Sequence, residues 1–309
     1  MPKDAVQETG QTRPPQDWSA TDNPTKRLAG IVLVVVASFI FAASDVATKT
    51  IIARIPSFEI IWFRYLAYSA IALPLLSRSP AIGLMSSRNR PLQILRGLGA
   101  FGSGAFFVAS LNFIPITDAT AISFTAPLFV AVLSAVFLAE AISPSYWLAT
   151  LCGFAGALLI VKPGSVDFNI GATLPLFGSL CWASALVLVR QMRGTEPMRL
   201  TAAYTALIGL VSASLIVPFV WVDPDPDIWP FLAVIGLATT TAHMMTVLAY
   251  GYAPAALLAP FSYAQLIGAT CMSYAVFDDI PTLPTVAGII LITASGLYLA
   301  MRNRQKTGT

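Results

Sequence analysis

The sequence predicts an all-α polytopic membrane protein: ten transmembrane helices in two inverted five-helix repeats, with both termini cytoplasmic. Three observations predict it: how few charges the chain carries, how long its apolar runs are, and how its second half echoes its first. Of 309 residues, 56% are apolar and only 11% are charged. A soluble domain carries roughly a quarter charged residues, so this chain cannot cover a water-facing surface of its own. Apolar runs of about 20 residues, the length that crosses a hydrocarbon core of about 30 Å, recur along it instead.

Bounded by charge, proline or glycine, the runs read as helices over 28–48, 58–76, 92–113, 119–139 and 146–161, then 170–189, 198–222, 229–250, 255–277 and 283–301. With the N-terminus cytoplasmic, fourteen of the eighteen Lys and Arg fall on that side, Arg96 counted among those between the second and third helices. Lys49, Arg54 and Lys162 fall opposite, with the acidic loop Asp223, Asp225 and Asp227, and Arg64 lies within a span. This asymmetry orients the chain N-in and C-in, which requires an even number of spans. Residues 1–27 are polar with no apolar core, so they read as a disordered cytoplasmic tail and not as a cleavable signal peptide. Residues 302–309 form a second tail. The three cysteines, Cys152, Cys181 and Cys271, lie inside apolar runs and suggest neither a disulfide framework nor a metal motif.

The repeat emerges at an offset of about 138–141 residues. Gly30 then meets Gly171, Ser38 meets Ser179, Ala42 meets Ala183, Phe41 falls opposite Trp182 and Lys49 opposite Arg190. Ala121 and Ala131 meet Ala259 and Ala269, and both runs close on an acid, Glu140 and Asp278. The final helices share Gly-x-x-Leu at 156–159 and 296–299. The repeats therefore span 28–161 and 170–301. Five spans per copy is odd, so the copies enter the bilayer in opposite directions. Two nearly equivalent halves have two nearly equal-energy arrangements, one open to each side, which is the architecture of secondary transporters with substrate at the repeat interface.

The segment ATAISFTAPLFVAVLSAVFLAE (119–140), with Pro127 and Glu140, and GFAGALLIVKPG (153–164) resemble the drug/metabolite transporter superfamily, specifically its ten-helix EamA-type members. FAASDVATK (41–49), EIIWFRYLA (59–67) and AHMMTVLAYGYAPAALLAPFSYAQL (242–266) resemble the bacterial branch that includes riboflavin and S-adenosylmethionine importers. The second copy departs from the pattern, with Asp278-Asp279 for the usual glutamate and Gln265 where the proline would fall. The resemblance implies a multi-pass protein of the bacterial inner membrane. It also implies a cavity near Trp62, Tyr65, Phe106, Trp182, Tyr204, Tyr250 and Tyr263, whose rings offer stacking surfaces to a planar substrate. Asn112 and Gln265 add hydrogen-bonding groups there.

Ionisable groups within a span are costly unless paired or facing water, which makes each a functional candidate. Arg64 is the deepest cation. Asp45, with Glu59 near, can pair with it as a gate or substrate contact on the outer side of the cavity, or as a static brace between the first two helices. His243, the only histidine, can carry a coupling proton or simply bond a neighbouring helix. Gly97, Gly99 and Gly102 spell G-x-G-x-x-G, but no strand precedes them. With Gly104 they read as a small-residue packing face and not as a dinucleotide site.

The expectation is a secondary transporter working by alternating access, with importing riboflavin or a similar planar metabolite as its sharpest form. Export of amino acids or other metabolites is the alternative, and a non-transporting structural membrane protein the alternative of another class. No nucleophile–base constellation, metal motif or nucleotide motif is present, so no enzyme, metal, cofactor or nucleic-acid role is expected. The partners are a small-molecule substrate, the lipid bilayer and a coupling proton or exchanged solute.

Overall fold

The computed structural model describes residues 24–77, 83–137, 144–162, 169–192, 196–253 and 255–307. Among them the chain is helical, with no strand. The helices are α1 (Pro24–Ile51), α2 (Ser57–Ser77), α3 (Arg90–Ser110), α4 (Ile116–Ser123), α5 (Ala126–Phe137) and α6 (Pro144–Val161). There follow α7 (Leu174–Gln191), α8 (Met198–Ile216), α9 (Trp229–Tyr252), α10 (Ala255–Ser262), α11 (Ala264–Phe277) and α12 (Leu283–Thr307). Seven helical stretches are long and apolar enough to cross a bilayer, and Trp147–Val161, Ala264–Phe277 and Leu283–Tyr298 are shorter apolar helices. Large apolar side chains such as Leu215, Phe219 and Leu283 point outward, as a helix facing hydrocarbon requires. α1 begins at Pro24, earlier than expected, on a residue suited to a first helical turn. The expected tail up to residue 23, and Glu140, lie outside the described residues.

The expected spans 119–139 and 255–277 are each broken. Pro127 has no N–H to give the carbonyl of Ser123, and the helix divides at Phe124 and Thr125. The carbonyls there find other donors: the Thr125 hydroxyl bonds Ile122 O at 2.7 Å, and Ser179 Oγ of α7 bonds Ser123 O at 3.1 Å. The second break falls at Tyr263, and there Ser38 Oγ of α1 donates to Ser262 O at 3.5 Å. Ser38 and Ser179, matched by the repeat, thus do the same job on opposite halves. The breaks also meet each other. Phe124 and Tyr263 stack with ring centroids 4.6 Å apart and planes at 22°.

Helix packing follows the same exchange. α1 lies against α9 and α11, as α7 lies against α3 and α5; α2 packs on α9 as α8 packs on α3; α2 meets α8 and α6 meets α12. The small-residue face of α3 is used in these contacts. A Cβ on Gly97 would sit 2.8 Å from Ile208 of α8, and one on Gly99 would sit 2.9 Å from the Cys181 carbonyl of α7, whereas Gly104 meets nothing within 4 Å. Close approach of this kind drives association where lipid is as apolar as the helix surface.

Candidate functional site

α1 turns Ser44, Asp45 and Thr48 inward, all buried. Ser44 Oγ meets Thr239 Oγ1 of α9 at 2.7 Å, and the Thr48 hydroxyl returns to Ser44 O at 2.8 Å. Arg64 reaches across from α2, its Nη2 donating to Asp45 Oδ1 at 3.2 Å and Thr48 Oγ1 at 2.5 Å. The other oxygen, Asp45 Oδ2, receives Gln265 Nε2 of α11 at 3.5 Å. One carboxylate therefore joins α1, α2 and α11, drawn from both halves of the chain. Glu59 does not enter this group. It is fully buried and accepts the Val222 N–H at 3.3 Å, while its Oε1 has no partner among the described residues.

Deeper along α2 and α9, His243 is flanked by rings. Phe41 meets it edge-on at 4.9 Å and Tyr68 stacks on it at 5.7 Å. Tyr65 packs on Phe101 at 5.9 Å and covers Gly209 of α8, where a Cβ would sit 2.0 Å from its ring. Arg96 completes this interior. It lies within α3 rather than in a loop, and its Nη1 donates to Thr201 O at 3.3 Å and to Thr205 Oγ1 of α8. Arg64 neighbours Tyr65 on α2, and Arg96 shares α3 with the Phe101 that packs on Tyr65.

The remaining predicted residues are dispersed. Trp62 turns to α8, its Nε1 donating to Ser214 Oγ at 2.9 Å, and sits in a cluster of rings with Phe63 and Trp221. Asn112 bonds Ser57 Oγ at 2.8 Å at the exposed end of α3. Tyr204 bonds Leu84 O at 2.8 Å beside Leu76 and Leu200. Phe106 packs on Phe177, Trp182 is half-buried on α7, and Tyr263 stays at the helix break. The side chain of Tyr250 lies outside the described residues.

Tyr68, which stacks on His243, Arg96 and Asp118 escape the sequence reading. Arg96 was counted with loop cations, although its place just before the glycine run of α3 puts it on a packed helix. Asp118 opens α4, where it borders with Thr285 of α12 a cavity of about 50 Å³ shared with Thr117, Asp279 and Thr282. Asp278 positions this edge. It ends α11 in the left-handed region at φ 56°, turning Asp279 back to accept from Ser273 Oγ at 3.1 Å. At the same end of the molecule Lys49 Nζ donates to Ile114 O at 2.6 Å. On the loops, Arg54 grips Asp227 at 2.6 Å and Asp225 at 2.7 Å, and its guanidinium holds the Asp227 carboxyl below the usual aspartate range.

A charged, ring-lined interior enclosed by helices of two matching halves is the geometry of a solute carrier. The EamA-like transporter family matches this sequence twice, over residues 28–162 and 169–301. The chain belongs to that family. A riboflavin transporter of Brucella anthropi is 31% identical over 289 residues, covering 89% of this chain and 99% of the relative. An S-adenosylmethionine uptake transporter of Rickettsia bellii is 28% identical, covering 84% of this chain and 88% of its own. A pseudopaline exporter of Pseudomonas aeruginosa is also 28% identical, over 88% and 96%. A solved crystal structure shares the fold at a TM-score of 0.58 and 20% identity, covering 90% of this chain and 98% of that one. This EamA protein is accordingly a multi-pass transporter of small metabolites in the bacterial inner membrane.

Proposed function

We propose that this EamA transporter imports riboflavin or a similar planar metabolite by alternating access. The observation that carries the reading is the interior built by Asp45, Arg64, Tyr65, Tyr68, His243 and Gln265, which offers flat rings beside fixed hydrogen-bonding groups. A planar heterocycle with acceptors on its edge needs both. The riboflavin transporter of Brucella anthropi, matched over nearly its whole length, supports the same reading.

Ten spans are counted when α4 joins α5, α10 joins α11 and the shorter apolar helices each cross once. The distribution of Lys and Arg then favours both termini in the cytoplasm. The exchanged helix contacts, the paired serines at the two breaks and the double family match support two inverted repeats over 28–161 and 170–301. In this arrangement the stack of Phe124 on Tyr263 joins the two halves at their helix breaks.

The test is uptake of labelled riboflavin by a bacterium lacking its own importer, with membrane expression verified. Saturable uptake above the empty-vector control is expected, and its absence from a well-expressed protein overturns riboflavin import. The pseudopaline exporter at 28% identity favours a second reading, metabolite export. Export predicts energised efflux from loaded cells in place of accumulation. A purely structural role predicts that substituting Arg64 or His243 leaves both assays unchanged.

A further inference from the structure

Among the described residues, the interior carries more positive charge than it neutralises. Its cations are Arg64 and Arg96, and guanidinium groups stay protonated in proteins. Asp45 gives one oxygen to Arg64 and the other to Gln265. Glu59 is turned to the Val222 N–H, with Asp223 its charged neighbour, and Asp118 and Asp279 neighbour Lys49 at the ends of the helices. Arg96 is met instead by neutral oxygens, those of Thr201 and Thr205. Its Nε is buried and finds no acceptor among the described residues, and the same holds for Arg64 Nε.

A desolvated N–H without an acceptor is costly, and a charge without a counter-charge in a membrane interior more so. Two such donors, Arg64 beside Tyr65 on α2 and Arg96 on α3, whose Phe101 packs on Tyr65, describe a receptor that is incomplete until an anion arrives. We infer that Arg96 and Arg64 bind an anionic group of the substrate, so that the preferred substrates are planar organic anions carrying a carboxylate or phosphate. This rests on the transport reading only for the place of the site. Arg96 acts as a specificity residue: a neutral planar molecule can use the rings but leaves the second guanidinium uncompensated.

The experiment measures binding of riboflavin and of riboflavin 5′-phosphate to the purified full-length protein in lipid nanodiscs, beside naphthalene-2-carboxylate and its neutral carboxamide. The anion of each pair should bind at least tenfold tighter. Arg96→Gln should bring each pair within twofold, and Arg96→Lys should keep part of the preference. The wild-type comparison requires no variant to fold. Equal binding within both pairs overturns the inference while leaving riboflavin import standing. An anion preference unchanged in a folded Arg96→Gln protein overturns it as well, as does binding of none of the four. Preference for the naphthoate alone, lost in Arg96→Gln, supports the inference and removes the flavin reading.

Discussion

Arg54 and Arg64 make the same kind of ion pair in two solvents. Arg54 lies on a loop with its side chain 44% exposed, and it holds Asp227 and Asp225 at 2.6 and 2.7 Å. Arg64 lies within a helix at 13% exposure and holds Asp45 at a longer 3.2 Å. By distance the loop pair looks stronger; by environment the order reverses. Water and salt screen exposed pairs, so they contribute little. A buried pair adds little net stability over apolar residues, yet removing one partner strands a charge, at a cost of about 3–5 kcal/mol. The comparison teaches that distance ranks geometry, and burial ranks consequence.

Breaking the inner pair should have the largest effect. Asp45→Asn removes the carboxylate that Arg64 holds, and uptake should fall more than tenfold with a lowered melting temperature in detergent. A double Asp45→Arg/Arg64→Asp variant sharpens the point. Recovered melting without recovered transport identifies the pair as more than a brace, whereas recovery of both reduces it to one. Next comes Gly209→Ala. Its methyl would overlap the partly buried Tyr65 ring, and overpacking of this kind costs about 1–3 kcal/mol. A raised KM with modest loss of expression is expected from uptake kinetics.

A smaller effect is expected from His243→Gln. The imidazole contributes ring surface between Phe41 and Tyr68, so affinity should drop severalfold while the pH profile of uptake keeps its shape. A flattened profile would make His243 the coupling group. The smallest effect belongs to the outer pair: Arg54→Gln should change uptake less than twofold. Arg54 depresses the Asp227 pKa in the folded state. The pair's stabilisation is therefore present above the ordinary aspartate value, about 3.9, and is lost only as pH falls through the depressed one. Melting curves at pH 7 and pH 5 should show the same small difference between wild type and Arg54→Gln.

Much of this was legible in the residues themselves. Ser38 and Ser179 matched as letters, and the structure gives both one task, donating to a carbonyl at the break in the other half's helix. Asp45 and Arg64 were readable as partners because apolar spans leave a charge few alternatives. Trp62 and Asn112 were not readable as outward-turned. An aromatic or amide side chain carries no sign of which neighbour it faces, and Trp62 found Ser214 on a helix 152 positions away. The third helix misled in a different way, because a cation near a span's end resembles a loop charge until the opposing helix is seen.

Composition and span length alone determined that this chain lives in a bilayer as helices, since backbone polar groups in hydrocarbon must be satisfied within the segment. The segments 119–140, 153–164 and 242–266 carried its family resemblance, because a motif is a property of order along the chain. Tertiary structure decided which charges are answered. Arg96 became a buried donor, and Glu59 was drawn away from Arg64, only through the packing of helices far apart in sequence. Pairing depends on distances in space, and the order of residues along a helix does not contain them.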